Sequence, residues 1–293
     1  MGHEYLTEKR LRALDPQLHS QYKNCVVVSN QMLLQYQSTF PEYTDHSTLH
    51  TLEIIDTCNA LIGDQIDRLT ADDLYVLLMG ALFHDVGMGI SEKDFCSFYG
   101  ENFSSEAGHV SKEELQELIR KNHHELSGWF LKKYWRVFDI PNDAYTKAII
   151  QVCRGHRKTN LMDPVEFPEA LFVAEERSVV LPYLAALVRL ADELDIAADR
   201  NSAFLYDPLL IKNDISRLQF LKHQCIQSAE LRSADVLVKA VSDDPEICEE
   251  ILDTVSKAAE VLRECRKVVS ERTSFTIKQQ CVMLDLNSNL MRF

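Results

Sequence analysis

The sequence of 293 residues has eight cysteines but no CxxC pair and no short repeated cysteine spacing. Zinc ribbons and disulfide frameworks depend on such patterns, so their absence argues against both. Apolar residues flank several of these cysteines, as at Cys153 and Cys281. Buried thiols in a reducing compartment are the simplest interpretation.

Long apolar runs are also absent. No apolar segment follows a basic start at the N-terminus, and no stretch approaches the roughly 18 residues that a membrane span requires. No repeat or low-complexity tract is visible either. We therefore expect a cytoplasmic protein that does not bind a membrane.

Positive charge is scarce, with 31 Lys and Arg residues against 45 Asp and Glu residues and a net charge of −14. Such a surface repels polyanions, so bulk nucleic-acid binding is not expected. One short basic segment, RGHRK, contains Arg154, Arg157 and Lys158. A phosphate-bearing substrate would find its positive charge there.

The first two hundred residues have helical periodicity and the composition of an ordinary globular protein. The pattern predicts helices over 5–15, 17–39, 46–62, 71–86, 111–137, 142–156 and 178–199. The spacing of apolar and polar residues changes near residue 205. This change predicts a helical domain over 1–205 followed by a small α+β module over 206–293.

The C-terminal module is predicted from three patterns. Alternation of apolar and polar residues over 215–241 predicts two or three strands, and 274–285 reads as one more. Between them, 245–271 has helical spacing with an apolar stripe from Ile247 to Leu262. This stripe either packs against the strands or docks a second copy of the chain, which would make a homodimer.

Several polar residues fall on the apolar faces of successive predicted helices, at intervals of 33 to 38 residues. A buried polar group is costly unless something compensates it. The inward residues are His50, His84, Asp85, His123, His156 and Asp192. His124 follows His123 but lies on the side of Arg120 and Lys121 and is the poorer ligand.

Imidazoles and carboxylates that converge in a helical bundle are ligands for Mn, Fe, Zn, Co or Ni, and the carboxylates also tolerate Mg. Six groups exceed the needs of one tetrahedral zinc ion. Two divalent ions bridged by Asp85 would use them all, and paired ions suit displacement at phosphorus.

The ordered set of His50, the pair His84-Asp85 and Asp192 resembles the HD superfamily. The segments ALFHDVGMG and LVRLADELD are similar to its motifs, and the resemblance covers residues 40–200. NHHELSGWFL and RGHRK are similar to the segments that supply two further histidines in dinuclear members. No GYP-type signature follows, so a cyclic dinucleotide substrate does not carry over. In its overall sequence pattern, the chain most resembles HD modules that are fused to heat-shock-chaperone-like ATPase or other effector regions.

The resemblance implies a mainly α, HD-type helical bundle that acts as a metal-dependent phosphohydrolase or phosphodiesterase. Its substrate would be a nucleotide or a related phosphate ester, attacked by a metal-activated water. HSTLHT is similar to the opening motif of cyclic-nucleotide phosphodiesterases, which would make His46 a general acid, beside Asp85 as the second catalytic residue. The alternative for His46 is a supporting role behind the metal ligands. The phosphates would be held by Arg154, Arg157, Lys158 and Lys121.

Two other functions remain open. The same six-ligand scaffold holds two irons that activate oxygen in inositol oxygenase, so a di-iron oxygenase is one alternative. The other is a non-catalytic sensor or interaction module with a structural metal. Ligand sets of this kind serve several substrates, and fold analogy does not decide among them.

Overall fold

The computed structural model describes residues 5–33, 48–102, 112–157, 159–197 and 214–293. These residues confirm a mainly α fold with a small C-terminal sheet. The helices are α1 (Leu6–Leu14), α2 (Pro16–Leu33), α3 (Thr48–Ile62), α4 (Ala71–Phe83), α5 (Glu92–Asn102), α6 (Lys112–Tyr134), α7 (Asp143–Gly155), α8 (Leu181–Leu194), α9 (Asp214–Cys225) and α10 (Pro245–Arg272). The strands are β1 (Leu171–Ala174), β2 (Arg177–Val179), β3 (Ile226–Leu231), β4 (Val236–Ala240), β5 (Val282–Leu286) and β6 (Asn289–Arg292). Gly63–Arg68 and Val86–Gly89 are 3-10 helices.

Helix α4 lies at the centre of the bundle because it is apolar on every face. A capping box starts it, in which Thr70 and Asp73 each accept a hydrogen bond from the other's backbone amide. Helices α1, α2, α7 and α8 pack around it. No single helix in the described ranges is long and apolar enough to cross a membrane, although the bent pair Ala71–Gly89 and Lys93–Gly100 passes that test when taken together.

Two glycines let helix α7 approach its neighbours closely. A Cβ on Gly80 would lie 2.3 Å from a methyl carbon of Val152, and a Cβ on Gly155 would lie 2.7 Å from the Cβ of Ala185. Neither helix pair leaves room for a larger residue at these points. The C-terminal ends of α4 and α7 are thereby held close together, and each is followed by a histidine.

The C-terminal sheet has the strand order β3-β4-β5-β6. Strands β3 and β4 are antiparallel, β4 and β5 are parallel with Val236 opposite Val282, and β5 and β6 are antiparallel. Helix α10 contacts β5 and α9 but packs most extensively against α8. Its apolar stripe from Ile247 to Leu262 is therefore buried within the chain.

The strand prediction over 215–241 is wrong in its first part, because Asp214–Cys225 is helix α9 and β3 begins only at Ile226. No β-branched residue occurs from Arg217 to Cys225, and the leucine, glutamine and lysine residues there favour a helix. Within this helix the consecutive polar side chains of Lys222 and His223 are both buried, whereas a strand would point them to opposite faces.

Three other elements differ from the predictions. Residues 171–179 form the β1–β2 hairpin, so the helix expected from 178 begins at Leu181. Helix α5 was not expected. The predicted strand over 274–285 is shorter and is followed by β6, joined through Asn287 and Ser288, whose φ angles are 51° and 67°. Such a pair with positive φ makes a tight hairpin turn.

Candidate metal centre

Four histidines meet at one end of the bundle. His50 lies on α3 and His123 on α6, while His84 and His156 directly follow the last residues of α4 and α7. All four are at least 95% buried. Four separate helices thus each deliver one imidazole to the same place, as the helical periodicity of the sequence predicts.

Backbone carbonyls fix the orientation of three of these rings. Nδ1 of His84 donates to the carbonyl of Ala81 at 2.8 Å, and Nδ1 of His123 donates to that of Arg120 at 2.7 Å. His156 makes the same bond to the carbonyl of Cys153. Because a carbonyl only accepts, we assign the proton of each ring to Nδ1, which leaves an Nε2 lone pair for a metal.

His50 is oriented by a carboxylate instead. Its Nδ1 bonds to Oδ2 of Asp195, a residue 91% buried just after the end of α8. A carboxylate behind a ligating histidine fixes its tautomer and raises its basicity. The lone pair of His50 Nε2 therefore points into the same space as the other three.

The four Nε2 atoms form two close pairs. His50 and His84 are 3.2 Å apart at Nε2, and His123 and His156 are 2.9 Å apart. With Nδ1 protonated in each ring, both members of a pair present lone pairs and cannot hydrogen-bond to each other. Each pair needs a cation to balance it, which is the property expected of metal ligands.

Asp85 lies between the two pairs and faces both. Its Oδ2 is 3.5 Å from Nε2 of His84 and 3.8 Å from Nε2 of His50. Its Oδ1 is 3.2 Å from Nε2 of His123 and 3.6 Å from Nε2 of His156. The ligand atoms fall into two groups with room for an ion, and Asp85 belongs to both groups.

Asp192 joins the first group from α8. Its Oδ1 is 3.5 Å from Nε2 of His50 and 3.8 Å from Nε2 of His84. This group therefore holds two imidazoles and two carboxylates, a mixed donor set that fits a divalent transition metal. The second group offers two imidazoles and one carboxylate.

Burial and the mutual proximity of these groups shift their pKa values. Burial lowers the pKa of His123 to about 4, although the carboxylate of Asp85 opposes the shift. Burial and the neighbouring His84 and His123 hold the pKa of His156 well below its ordinary value. Burial alone would raise the pKa of Asp192, but the adjacent His50, together with His84 and His156, holds it well below its usual range. All three groups are thus in the deprotonated form that binds metals.

The turn after His84-Asp85 is held against α6. The amide of Gly87 donates to Oγ of Ser127 at 2.9 Å, and this hydroxyl donates to the carbonyl of His84 at 2.8 Å. A Cβ on Gly87 would lie 2.2 Å from the carbonyl oxygen of His123. Only glycine lets this turn approach α6 so closely, which brings Asp85 next to His123.

A comparison with models of protein families shows to which family the chain belongs. The family model called HD-CE matches residues 40–271, which include every residue of the two ligand groups. The chain belongs to the HD-CE family. Comparison with curated proteins finds no match, and comparison with solved structures finds none either.

As a member of the HD-CE family, the protein has a metal-binding type of HD domain, and the predicted recognition is confirmed. The His/Asp pair of the HD signature is the pair His84-Asp85. The match extends past residue 205; helix α10 packs on α8 of the helical bundle, and α9 contacts α10. The domain boundary predicted there falls within 198–213, outside the described residues.

A cavity of about 360 Å³ opens onto the centre of this HD-CE protein. Asp85, His123 and Asp192 line its floor, and Arg157 and Glu193 belong to the same part of the wall. Helices α9 and α10 also contribute to the lining, with Gln219, Lys222, His223, Glu250, Asp253 and Lys257. The C-terminal module therefore contributes directly to the site.

The predicted phosphate-binding residues lie in different settings. Arg157 lines the cavity, and no ion pair of its guanidinium occurs within the described part of the chain. Arg154 instead bonds Glu125 at 2.9 Å and Gln151 at 2.8 Å and lies 3.5 Å from Glu166. Lys121 is exposed on α6, away from the cavity lining. His46 and Lys158 lie outside the described residues.

Arg189 supports the segment that follows His156. Its Nε donates to the carbonyl of Gly155 at 2.7 Å, and its guanidinium also bonds the carbonyls of Arg157 and Thr159. An ion pair with Arg189 would have made Asp192 a structural residue. Arg189 instead bonds the backbone carbonyls named above. These hydrogen bonds of Arg189 hold His156 and the backbone of Arg157 next to α8.

Sequence reasoning missed Asp195, Lys222, His223 and Lys257. Asp195 carried a usable signal, because it stands three residues after Asp192 in LADELD and so follows it by nearly one helical turn. The other three were missed because α9 was predicted as strand and because α10 was assigned to a separate module.

Proposed function

We propose that this protein hydrolyses phosphate esters or anhydrides, nucleotides among them, at two divalent metal ions bridged by Asp85. The observation that supports this most strongly is the position of Asp85, with one carboxylate oxygen toward each pair of imidazoles. A carboxylate in this position gives two ions a common ligand, the arrangement suited to in-line displacement at phosphorus.

The residues divide into three roles. His50, His84 and Asp192 would hold one ion, and His123 and His156 the other, with Asp85 shared. Ions bound there would supply an activated water and positive charge for the phosphoryl oxygens. Arg157 would hold the substrate phosphate, because it lines the cavity and a guanidinium can bind two phosphate oxygens at once. His46, which precedes His50 by one helical turn, stays a predicted proton donor to the leaving oxygen.

The histidine-rich donor set favours Mn, Fe, Co, Ni or Zn over Mg. Asp195 would stabilise ion binding by fixing His50, and the three carbonyl bonds do the same for the other rings. The cavity that Asp85, His123 and Asp192 line is open to solvent, which leaves access for a charged substrate.

The direct test is a panel of nucleoside mono-, di- and triphosphates and a chromogenic phosphodiester, assayed with added Mn. The Asp85→Asn variant keeps the shape of the side chain but loses the bridging charge, so we expect a loss of at least about 100-fold in hydrolysis rate. Asp143→Asn is the matched control, because Asp143 is exposed on α7 and pairs with Lys147 at 2.7 Å.

Hydrolysis by Asp85→Asn at the rate of the control would overturn the proposal. No turnover of any phosphate compound, combined with oxygen uptake by the iron-loaded protein, would favour the di-iron oxygenase. Bound metal without either activity would favour a sensor or interaction module.

A further inference from the structure

Arg189 is a buried arginine whose guanidinium binds backbone carbonyls. The residue is 91% buried, and in the described part of the chain its one ion pair is with Glu264, at 3.9 Å from Nη1. The side chain of Glu264 is 68% exposed, and a long pair of this kind contributes little. A buried charge is costly unless hydrogen bonds compensate it, so the carbonyls carry that role here.

The carbonyls belong to the end of α7 and to the segment that follows it. Nε of Arg189 donates to the carbonyl of Gly155, the last residue of α7, at 2.7 Å. Nη2 donates to the carbonyl of Thr159 at 2.6 Å and to that of Arg157. The last carbonyls of a helix have no partner within the helix, and a cation there also complements the helix dipole. Because His156 lies between Gly155 and Arg157, the arginine fixes the backbone on both sides of this ligand.

The ring of His156 has to be held against a repulsive contact. Its Nε2 lies 2.9 Å from Nε2 of His123, and both atoms present lone pairs. The bond from Nδ1 to the carbonyl of Cys153 fixes the ring relative to α7. That bond does not fix where the end of α7 lies, and Arg189 provides this second restraint from α8.

Helix α8 thereby supports both ligand groups. It supplies Asp192 to the group that contains His50 and His84, and Arg189 precedes Asp192 by three residues. Ala185, one turn before Arg189, is the residue that a Cβ on Gly155 would meet at 2.7 Å. Helix α8 therefore contacts the end of α7 at two successive turns, by packing and then by hydrogen bonds.

We propose that Arg189 is a positioning residue for the metal ion of the group formed by Asp85, His123 and His156. It acts through the backbone on either side of His156. The inference rests on the proposed function, because it assumes that ions bind at both ligand groups. The ion of the other group should depend far less on Arg189, since none of the hydrogen bonds of its guanidinium reaches His50, His84 or Asp192.

The test measures the affinity of each site for Mn by competition with a chelator of known affinity. In the His84→Ala background, which leaves the group of His123 and His156 complete, Arg189→Met should weaken the affinity about 10- to 100-fold. In the His123→Ala background, which leaves the other group complete, Arg189→Met should change the affinity by less than about twofold. The number of ions per chain is measured by mass spectrometry in the same samples.

Arg189→Lys is the second variant. It keeps the buried charge, but an ammonium lacks the planar fork of a guanidinium that reaches several carbonyls at once. We expect a smaller loss of the same affinity than in Arg189→Met. This variant keeps the inference testable if Arg189→Met does not fold.

Arg272→Met is the matched control. Arg272 is 92% buried on α10 and donates to the carbonyl of Leu161 at 3.0 Å. The control therefore also removes a buried arginine and a bond to a carbonyl, but none of its bonds reaches the end of α7. Both Mn affinities should stay within about twofold of those of the unaltered protein, even where the melting temperature falls.

The two proposals fail in different ways. Equal losses at both sites in Arg189→Met, or the same selective loss in Arg272→Met, would overturn the positioning role, because either result indicates general destabilisation. Retention of both affinities in Arg189→Met would overturn it as well. An unaltered protein that binds no metal, or hydrolysis that survives Asp85→Asn, would overturn the proposed function itself, and neither measurement involves Arg189.

Discussion

At the scale of single residues, the centre depends on what stands behind each histidine as much as on the histidines. Three rings are anchored by the carbonyl three residues back, within a helix for His123 and just past a helix end for His84 and His156. His50 alone relies on a side chain, that of Asp195. A change at Asp195 should therefore affect metal binding without removing a ligand.

Replacing Asp195 by alanine should weaken metal affinity by about 10- to 100-fold, because His50 loses both its orientation and its negatively charged partner. Asp195→Asn should lose less, since the amide oxygen still accepts the bond from Nδ1. Both affinities are measured by competition with a chelator of known affinity. An unchanged affinity in Asp195→Ala would show that His50 is oriented by other contacts.

The residues found from the sequence and those missed differ in one physical respect. His50, His123 and Asp192 were predicted because each is a polar residue on an apolar helix face, and that pattern is local. Lys222 is polar and buried as well, but its position in the lining of the cavity depends on where α9 is placed in the fold. No local pattern in the chain specifies that placement.

At the scale of elements, the turn after α4 is the part of the site with the tightest geometry. Gly87 contacts the backbone of α6 so closely that even a methyl group would displace it. Because Asp85 precedes this turn by two residues, any displacement would move the bridging carboxylate relative to His123.

Gly87→Ala should destabilise the fold by about 1–3 kcal/mol through overpacking and should also reduce metal binding. Gly100→Ala on α5 is the matched control, because a Cβ there has no atom within 4 Å. Within a helix the control substitution should be neutral or stabilising by up to about 1 kcal/mol. The melting temperatures of both variants are measured by thermal unfolding. Equal melting temperatures would contradict the close approach of this turn to α6.

The elements predicted correctly are the long helices of the bundle, whose apolar spacing repeats over several turns. Errors occurred where the pattern was short. The alternating pattern over 215–225 suited a strand, and only the lack of β-branched residues from Arg217 to Cys225 favoured a helix. The hairpins β1–β2 and β5–β6 were not predicted, because strands as short as the four residues of β1 and β6 show almost no periodicity.

At the scale of the whole molecule, the chain has a net charge of −14, so the anionic substrate that we propose would need local positive charge such as that of Arg157. The family match over 40–271 includes α9 and nearly all of α10, in line with a cavity to whose lining these helices contribute. The stripe of α10 that the sequence left available for a second copy is used for packing against α8. A homodimer through other surfaces of the module stays a prediction.

The central claim is that Asp85 joins two metal sites, and the metal stoichiometry tests it most directly. The protein is loaded with Mn, freed of excess ion, and analysed by mass spectrometry for ions per chain. We predict two ions in the unaltered protein, one in His84→Ala, one in His123→Ala and none retained in Asp85→Ala. A single ion in the unaltered protein, or loss of both ions in His123→Ala alone, would contradict the two-sided centre.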